Sequence, residues 1–360
     1  MKRCYLCGKN GPKKDFIKLG FEIDKCPDCG LRSLNFKGNY DKFLTTYYQK
    51  GFFTGGKRFR AYADYEGDKP VHLRNLQGHL HGLLNVLSDP KFKINLLDID
   101  LKLKIKNLKL SKPRLLDAGC AMGYFMELAQ NAGFDVYGVD VSDYAVGIAK
   151  RTFGDRVKLG QIENLDQLFN GKKVEPSSKN LDKVALASDS SDGGPKGLLR
   201  GVTSETGEKG QGSTFSKNRF DIVTMFDLIE HLQNPREVLK KINLSLNDNG
   251  LLLVQTGNAS SRWARLLGKN WHFFAPPQHF FFFTEENLKN LLRQTGFEVI
   301  KIDRNGKWVS LRYLFHMMRY VNKDGLGDLL YKLTHKNFLG RIPLLFAFGD
   351  NMTIYAQKTN

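Results

Sequence analysis

No run of about eighteen apolar residues occurs in this 360-residue chain, so no helix is expected to span a membrane. The opening stretch, MKRCYLCGKNGPKK, lacks an apolar segment of the signal-peptide kind, which argues against secretion and for a cytoplasmic location. Acidic residues are few: 37 Asp and Glu stand against 55 Lys and Arg, leaving a formal net charge of +18. Such a surplus attracts nucleic acid, anionic lipid head groups or phosphorylated substrates without choosing among them. Part of it sits in residues 91–114, KFKINLLDIDLKLKIKNLKLSKPR, where basic residues are interleaved with Leu and Ile in the manner of a solvated helix face or hairpin. Hydrophobic residues make up 41% of the chain, enough to build one large domain and a small one.

Cysteine is scarce as well, and its placement is informative. Four of the five fall in CYLCG and CPDCG: Cys4, Cys7, Cys26 and Cys29, two C-x-x-C pairs with eighteen residues between them. Each pair is followed by a glycine that lets the backbone turn until two thiolates meet one ion, and four sulfurs in a tetrahedron suit Zn2+. With four protein ligands the ion is structural, not catalytic. The segment resembles a zinc ribbon.

From residue 114 the pattern becomes strand, glycine turn, helix. RLLDAGCAMGYFMELAQNAG runs through Asp117, Gly119, Cys120 and Gly123 into an amphipathic helix, and FDVYGVD follows as a second strand ending at Asp140. A glycine turn lets backbone approach a ligand closely, and an acid about twenty residues later can bind the two hydroxyls of a ribose. The alternation resumes with a strand at 220–226, a helix capped by Asn234 and Pro235, the strand NGLLLVQTGN, a helix capped by Thr284 and a last strand in DNMTIYAQK. Strands alternating with helices imply an α/β fold with a mostly parallel sheet and helices on both faces.

These blocks, LLDAGCAMG, VYGVD, FDIVTMFDLIEHLQNP and GLLLVQTGN, resemble in content and order the class I S-adenosylmethionine-dependent methyltransferases. The resemblance implies a doubly wound, mostly parallel seven-stranded sheet and S-adenosylmethionine as cofactor. Asp117, Gly119, Cys120 and Gly123 would pass along it, Asp140 would bind its ribose, Gln161 and Ile162 would flank its adenine, and Phe226 would close the site. Ala121 stands where many members have Gly, and its small methyl group is expected to be tolerated. A nicotinamide dehydrogenase would want G-x-G-x-x-G, whereas this turn reads G-C-A-M-G.

The organisation expected is a ribbon over residues 1–45, a connecting helical region over 46–110 and a methyltransferase domain over 111–360. Residues 171–218, rich in Ser, Gly, Lys and Thr, read as a disordered surface insertion. Residues 305–349 read as a helical excursion beside the acceptor.

Methyl transfer needs donor and acceptor held in line, and a base where the acceptor has a proton to lose. Candidate bases are His231, in DLIEHL, and His279, in PPQHFFFFT. The first block is similar to one that holds a divalent ion in quinone-pathway O-methyltransferases, which here would use Asp227, Glu230 and His231. The second resembles the YHEH segment of sugar C-methyltransferases, with Gln278 in place of their Glu and Pro276 in place of their Tyr. Of the dense aromatic stretch WHFFAPPQHFFFF, Trp271, His272, Phe273 and Phe274 are expected to wall the pocket while other rings pack the core. The function expected is O-methylation, or C-methylation, of a small-molecule, sugar-type or lipid-linked acceptor, with peripheral membrane contact compatible with the charge. The alternatives are an RNA methyltransferase and a non-catalytic ribbon that binds RNA or a protein.

Overall fold

The computed structural model describes residues 3–55, 62–90, 112–169, 219–321, 325–335 and 337–359. The insertion expected at 171–218 and most of the basic stretch at 91–114 lie outside these residues.

At the front, β1 (Lys13–Lys18), β2 (Phe21–Lys25) and β3 (Arg32–Leu34) form an antiparallel ribbon whose two cysteine turns lie just before β1 and between β2 and β3. Helices α1 (Tyr40–Tyr47), α2 (Lys50–Phe53) and α3 (Lys69–Ser88) lead away from it. Asn39 caps α1 by accepting from the Lys42 amide at 2.8 Å.

The central layer starts with β4 (Arg114–Ala118), α4 (Tyr124–Asn131), β5 (Asp135–Asp140), α5 (Asp143–Phe153), β6 (Val157–Leu159) and α6 (Leu165–Phe169). It continues with β7 (Phe220–Phe226), α7 (Pro235–Ser245), β8 (Leu246–Gly257), α8 (Arg262–Leu267), β9 (Phe281–Phe282), α9 (Glu285–Gln294) and β10 (Phe297–Asp303). Beyond it lie β11 (Lys307–Ser310), α10 (Leu311–Val321), α11 (Leu326–Thr334), β12 (Pro343–Phe346) and β13 (Asn351–Lys358). The region expected to be a helical excursion thus also holds a two-stranded antiparallel ribbon, β11 with β12.

The seven-stranded sheet runs in the order β10-β13-β8-β7-β4-β5-β6. Strands β4 to β8 pair in parallel, and β13 is antiparallel to both β8 and β10. Continuous apolar runs such as Leu251–Val254, wholly buried, suit strands covered by helices on both faces. Strand order reverses between β4 and β7, and a crevice opens outside the carboxyl ends of strands at such a point.

The ribbon is joined to this core through the aromatic stretch. Strand β9 pairs with β3, making it the fourth strand of the ribbon's sheet. The ribbon's Leu31 and Leu34 accordingly pack in one cluster with Phe281, Phe283 and Leu288.

Candidate active site

The turn after β4 is built to bring backbone into the crevice. Gly119 and Gly123 hold φ of 76° and 79°, and between them Ala121 holds 45°, a left-handed conformation that a side chain opposes. The departure from glycine at this position therefore strains the turn without filling it. Asp140, at the end of β5, binds the turn directly: its Oδ2 accepts from the Ala121 amide at 2.9 Å and its Oδ1 from the Ser142 amide at 2.8 Å. Burial pushes its carboxyl up from the ordinary range, opposed by those two amides. Asp117, on β4, accepts from Thr224 Oγ1 at 2.7 Å and is pushed up to about 7 by burial.

These groups line a cavity of about 1160 Å³, larger than a single small ligand requires. Asp117, Gly119, Cys120, Asp140, Ile162 and Phe226 all face it. Gly123 and Gln161 are absent from its lining. Gly123 starts α4, and a methyl group there would meet the Phe153 ring at 2.8 Å. Gln161 donates its amide to Asp41 at 3.0 Å.

The two candidate bases, 48 positions apart in sequence, stand together. Their rings are nearly perpendicular, with centroids 4.7 Å apart. The join is made by backbone: the Phe280 amide donates to the Glu230 carbonyl at 2.7 Å, which zips the turn Ile229–His231 to the segment before β9. His231 Nδ1 donates to the Gln278 carbonyl at 2.9 Å, with the Tyr48 hydroxyl 3.0 Å away. His279 Nδ1 donates to the Phe273 carbonyl at 2.7 Å. A carbonyl oxygen only accepts, so both rings carry a proton on Nδ1, and Nε2 is the basic nitrogen of each ring in its neutral form. Burial lowers the His231 pKa to about 4, so that ring is neutral at pH 7.

Glu230 completes the group. It is buried; its carboxylate oxygens make no hydrogen bond of full geometry, and the Thr256 side chain beside them favours the ionised form only weakly against burial. Burial first, and the charge of Asp227 second, raise it to about 8. One ligating atom each from Glu230, His231 and His279 lies within 4.8 Å of the others. Asp227 is not in this trio. It pairs with Lys307 of β11 at 2.7 Å, and although burial opposes its charge, Lys307 outweighs that and holds the carboxyl below its ordinary value. The divalent set anticipated from DLIEHL is thus altered, with His279 in place of Asp227.

The aromatic stretch divides differently from expectation. His272 and Phe273 line the cavity, but Trp271 and Phe274 do not. Trp271 is fully buried and donates Nε1–H to Asp350 at 3.1 Å, while Phe274 packs edge-on against Phe16 and Phe282. The indole needs a partner for its N–H and a dry bed for its rings, and the core offers both. Tyr48 and Lys307 belong to the site without having announced it. Neither sits in a local pattern, and only folding brings them in.

In the ribbon, Cys4 and Cys29 Sγ are 3.5 Å apart and Cys7 and Cys26 Sγ 3.7 Å apart. The two turns repeat one geometry: Gly8 and Gly30, at φ of 70° and 71°, each donate to the carbonyl of the first cysteine of their pair at 3.0 Å. Sulfur atoms about 3.8 Å apart are what a tetrahedral zinc with ~2.3 Å bonds requires, so the cluster is compatible with a zinc ribbon.

A protein family described as a methyltransferase domain matches residues 91–302. The chain belongs to this family. A curated relative, the ubiquinone biosynthesis O-methyltransferase of Bordetella avium (strain 197N), is 24% identical over 149 residues, which are 41% of this chain and 44% of the relative. The chain thus spans less than half the length of that relative. Among solved structures, a SAM-dependent methyltransferase from Archaeoglobus fulgidus is similar at 18% identity and TM-score 0.39, over 69% of this chain and 87% of that one. Magnesium protoporphyrin IX methyltransferase from Synechocystis PCC 6803, solved with bound SAH, is similar at 10% identity and TM-score 0.41, over 82% and 87%.

Proposed function

We propose that the chain transfers a methyl group from S-adenosylmethionine to a hydroxyl oxygen of a small-molecule or lipid-linked acceptor, with His279 and His231 as proton acceptors. The observation that carries this reading is the pairing of the two rings, each with Nε2 as its basic nitrogen, in the same cavity as Asp140 and the glycine turn. The cofactor supplies a methyl on a sulfonium, so the acceptor oxygen gains a carbon as the sulfur–carbon bond breaks. Asp140, already oriented by two amides, binds ribose hydroxyls. The backbone at Gly119 and Ala121 passes along the methionine part, and Ile162 lies against the adenine. The oxygen's proton goes to a histidine Nε2, and Lys307, held beside Asp227, favours negative charge on the acceptor before transfer. The cysteine cluster holds structural zinc in this reading.

The buried carboxylate of Glu230, within 4.8 Å of a ring nitrogen of each histidine, favours a second reading of the same trio, as the nitrogen and oxygen donors of a divalent ion. Manganese titrated calorimetrically into the wild type and into His279→Gln separates the two: binding lost in the variant supports the ion, and no binding in either supports the base.

The main test is calorimetry with S-adenosylmethionine on Asp140→Ala. Loss of charge-assisted hydrogen bonds is expected to weaken affinity roughly tenfold to a hundredfold. Unchanged affinity in folded protein removes Asp140 from the cofactor site. His279→Gln should leave that affinity intact and lower turnover of a hydroxylated acceptor by roughly a hundredfold or more. Near-normal turnover sinks its role as base.

A further inference from the structure

One side of the cavity mouth takes no part in this chemistry. The turn between β1 and β2 is two residues long, Leu19 and Gly20, joining Lys18 to its cross-strand partner Phe21. Leu19 holds φ of 51°, a conformation suited to Asn, Asp or Gly and strained for a leucine. The strain is not compensated by burial: Leu19 is 50% exposed and Ile17 54%. Leu266 of α8 is 76% exposed, and Phe348 is 42% exposed.

Ile17, Leu19 and Phe348 belong to one rim, and Leu266 stands on the helix whose Trp263 and Leu267 join it. The Lys18 ammonium donates to the carbonyls of Lys269 and Trp271, both at 2.9 Å, which fastens the hairpin tip to the turn after α8. Trp263 of α8 stacks on Phe348 with ring centroids 4.1 Å apart. Ile17, Leu19, Trp263 and Phe348 all line the cavity, so the exposed apolar surface continues into it.

Exposed cations gather on this rim. The chain has no acidic residue between Asp248 and Glu285, and Arg262, Arg265 and Lys269 are exposed within that interval. Across the hairpin Glu22 faces Ile17, and Asp350 is buried and accepts from Trp271. Apolar side chains standing out of a fold and flanked by exposed cations match the interface of an anionic bilayer, where the apolar groups enter the acyl boundary and the cations meet phosphates. A protein seated on this rim would close the mouth. A lipid surface would feed it.

We propose that this face docks on an anionic phospholipid bilayer, and that the acceptor is an amphiphile entering the cavity head group first from the lipid. The second half of the proposal rests on the cavity being the acceptor site, but docking is measured without any methyl transfer, so the two readings fail separately.

The test is co-sedimentation of the full chain with phosphatidylcholine vesicles, with and without phosphatidylglycerol. Binding to the anionic vesicles is expected to exceed binding to neutral ones and to weaken with salt. The double variant Leu19→Asn, Leu266→Ser should lose roughly tenfold or more in affinity, since two apolar anchors leave the acyl boundary. Its melting temperature should not fall, because Asn suits the turn and Leu266 is exposed. Wild-type protein that stays in the supernatant of anionic vesicles at low salt overturns the proposal. So does a double variant that binds as the wild type does. Light scattering that finds a lipid-free dimer split by the same two substitutions also overturns it and assigns the face to a second copy.

Discussion

Ala121 is where the sequence departs from its family resemblance, and its backbone shows the consequence. At φ of 45° a methyl group opposes the conformation that glycine adopts freely, at roughly 1–2 kcal/mol; the freedom glycine adds to the unfolded chain offsets about 0.4–1 kcal/mol of that, which leaves a net cost on the order of 0.5–1 kcal/mol. Ala121→Gly should therefore stabilise the protein by about that amount, read as a higher urea midpoint at constant slope; a lower midpoint would show that the turn is not strained there. A second residue-scale expectation concerns pH. His79, stacked on Phe226 at 4.7 Å, has its pKa lowered to about 4 by burial. The folded value lies below the ordinary one near 6.5, so the unfolded chain binds the proton first: the contribution of His79 is present above pH 6.5 and is lost as pH falls through about 4. His79→Phe keeps the ring stack and should flatten the fall of stability over that window, by up to ~2 kcal/mol at its acid end. Unchanged steepness in urea melts between pH 7 and 4.5 would contradict this. Gly119, Asp140 and the four cysteines were singled out in the sequence by spacing alone, and folding brings Gly119 and Asp140 to one cavity and the four sulfurs to one cluster. Gly123 and Gln161, singled out in the same way, stand outside that cavity's lining, because spacing does not show the Phe153 ring beside the glycine.

At the scale of elements, two helix starts were legible to the residue. Asn234 and Thr284 each cap their helix as anticipated, because a side-chain acceptor followed three positions later by an amide needs nothing distant. Pairing between elements was not legible. Strand β9 is two phenylalanines long, too short for alternation to declare a face, and it is this strand that attaches the ribbon to the catalytic core. The attachment has a chemical consequence. The Leu34 amide donates to the Phe280 carbonyl, the Phe280 amide donates to Glu230, and Asn287 Nδ2 donates to the Cys29 carbonyl, so the cysteine turn and the histidine pair share a chain of hydrogen bonds. If the cluster holds zinc, Cys26→Ser should abolish the metal in elemental analysis and lower the melting temperature. It should also raise amide exchange at residues 278–283, outside the ribbon. Metal loss with unchanged exchange there would show that the ribbon and the site are uncoupled.

The whole molecule closes its cavity with segments that are far apart in sequence, and one buried ion pair holds them. Arg312, on α10, donates Nη1 to Asp64 at 2.8 Å and Nη2 to Asp68 at 2.6 Å, while Ser310 Oγ donates to the other Asp68 oxygen at 2.9 Å. Arg312 and Asp68 are both buried. Burial raises the Asp68 pKa, against the guanidinium that faces it. The pair ties the start of α3, whose Val71, His72 and Asn75 line one wall, to α10, whose Leu314, Met317 and Met318 line another. Nothing in the sequence marks a contact across 244 positions, because neither residue lies in a motif and each alone reads as surface charge. Replacing only the arginine strands a carboxylate in the interior, which typically costs about 3–5 kcal/mol, whereas replacing both partners by uncharged groups of similar size costs far less. Arg312→Met should accordingly lower stability by roughly 3 kcal/mol, and adding Asp68→Asn should restore more than half of the loss. The wall should loosen with the pair: acceptor affinity falls in the single variant and recovers in the double one, while S-adenosylmethionine affinity, set on the β4 and β5 side, stays level throughout. Equal stability of the single and double variants would mean that Asp68 finds another partner, and an unaltered acceptor affinity in the single variant would mean that α10 is held in place by its apolar packing alone.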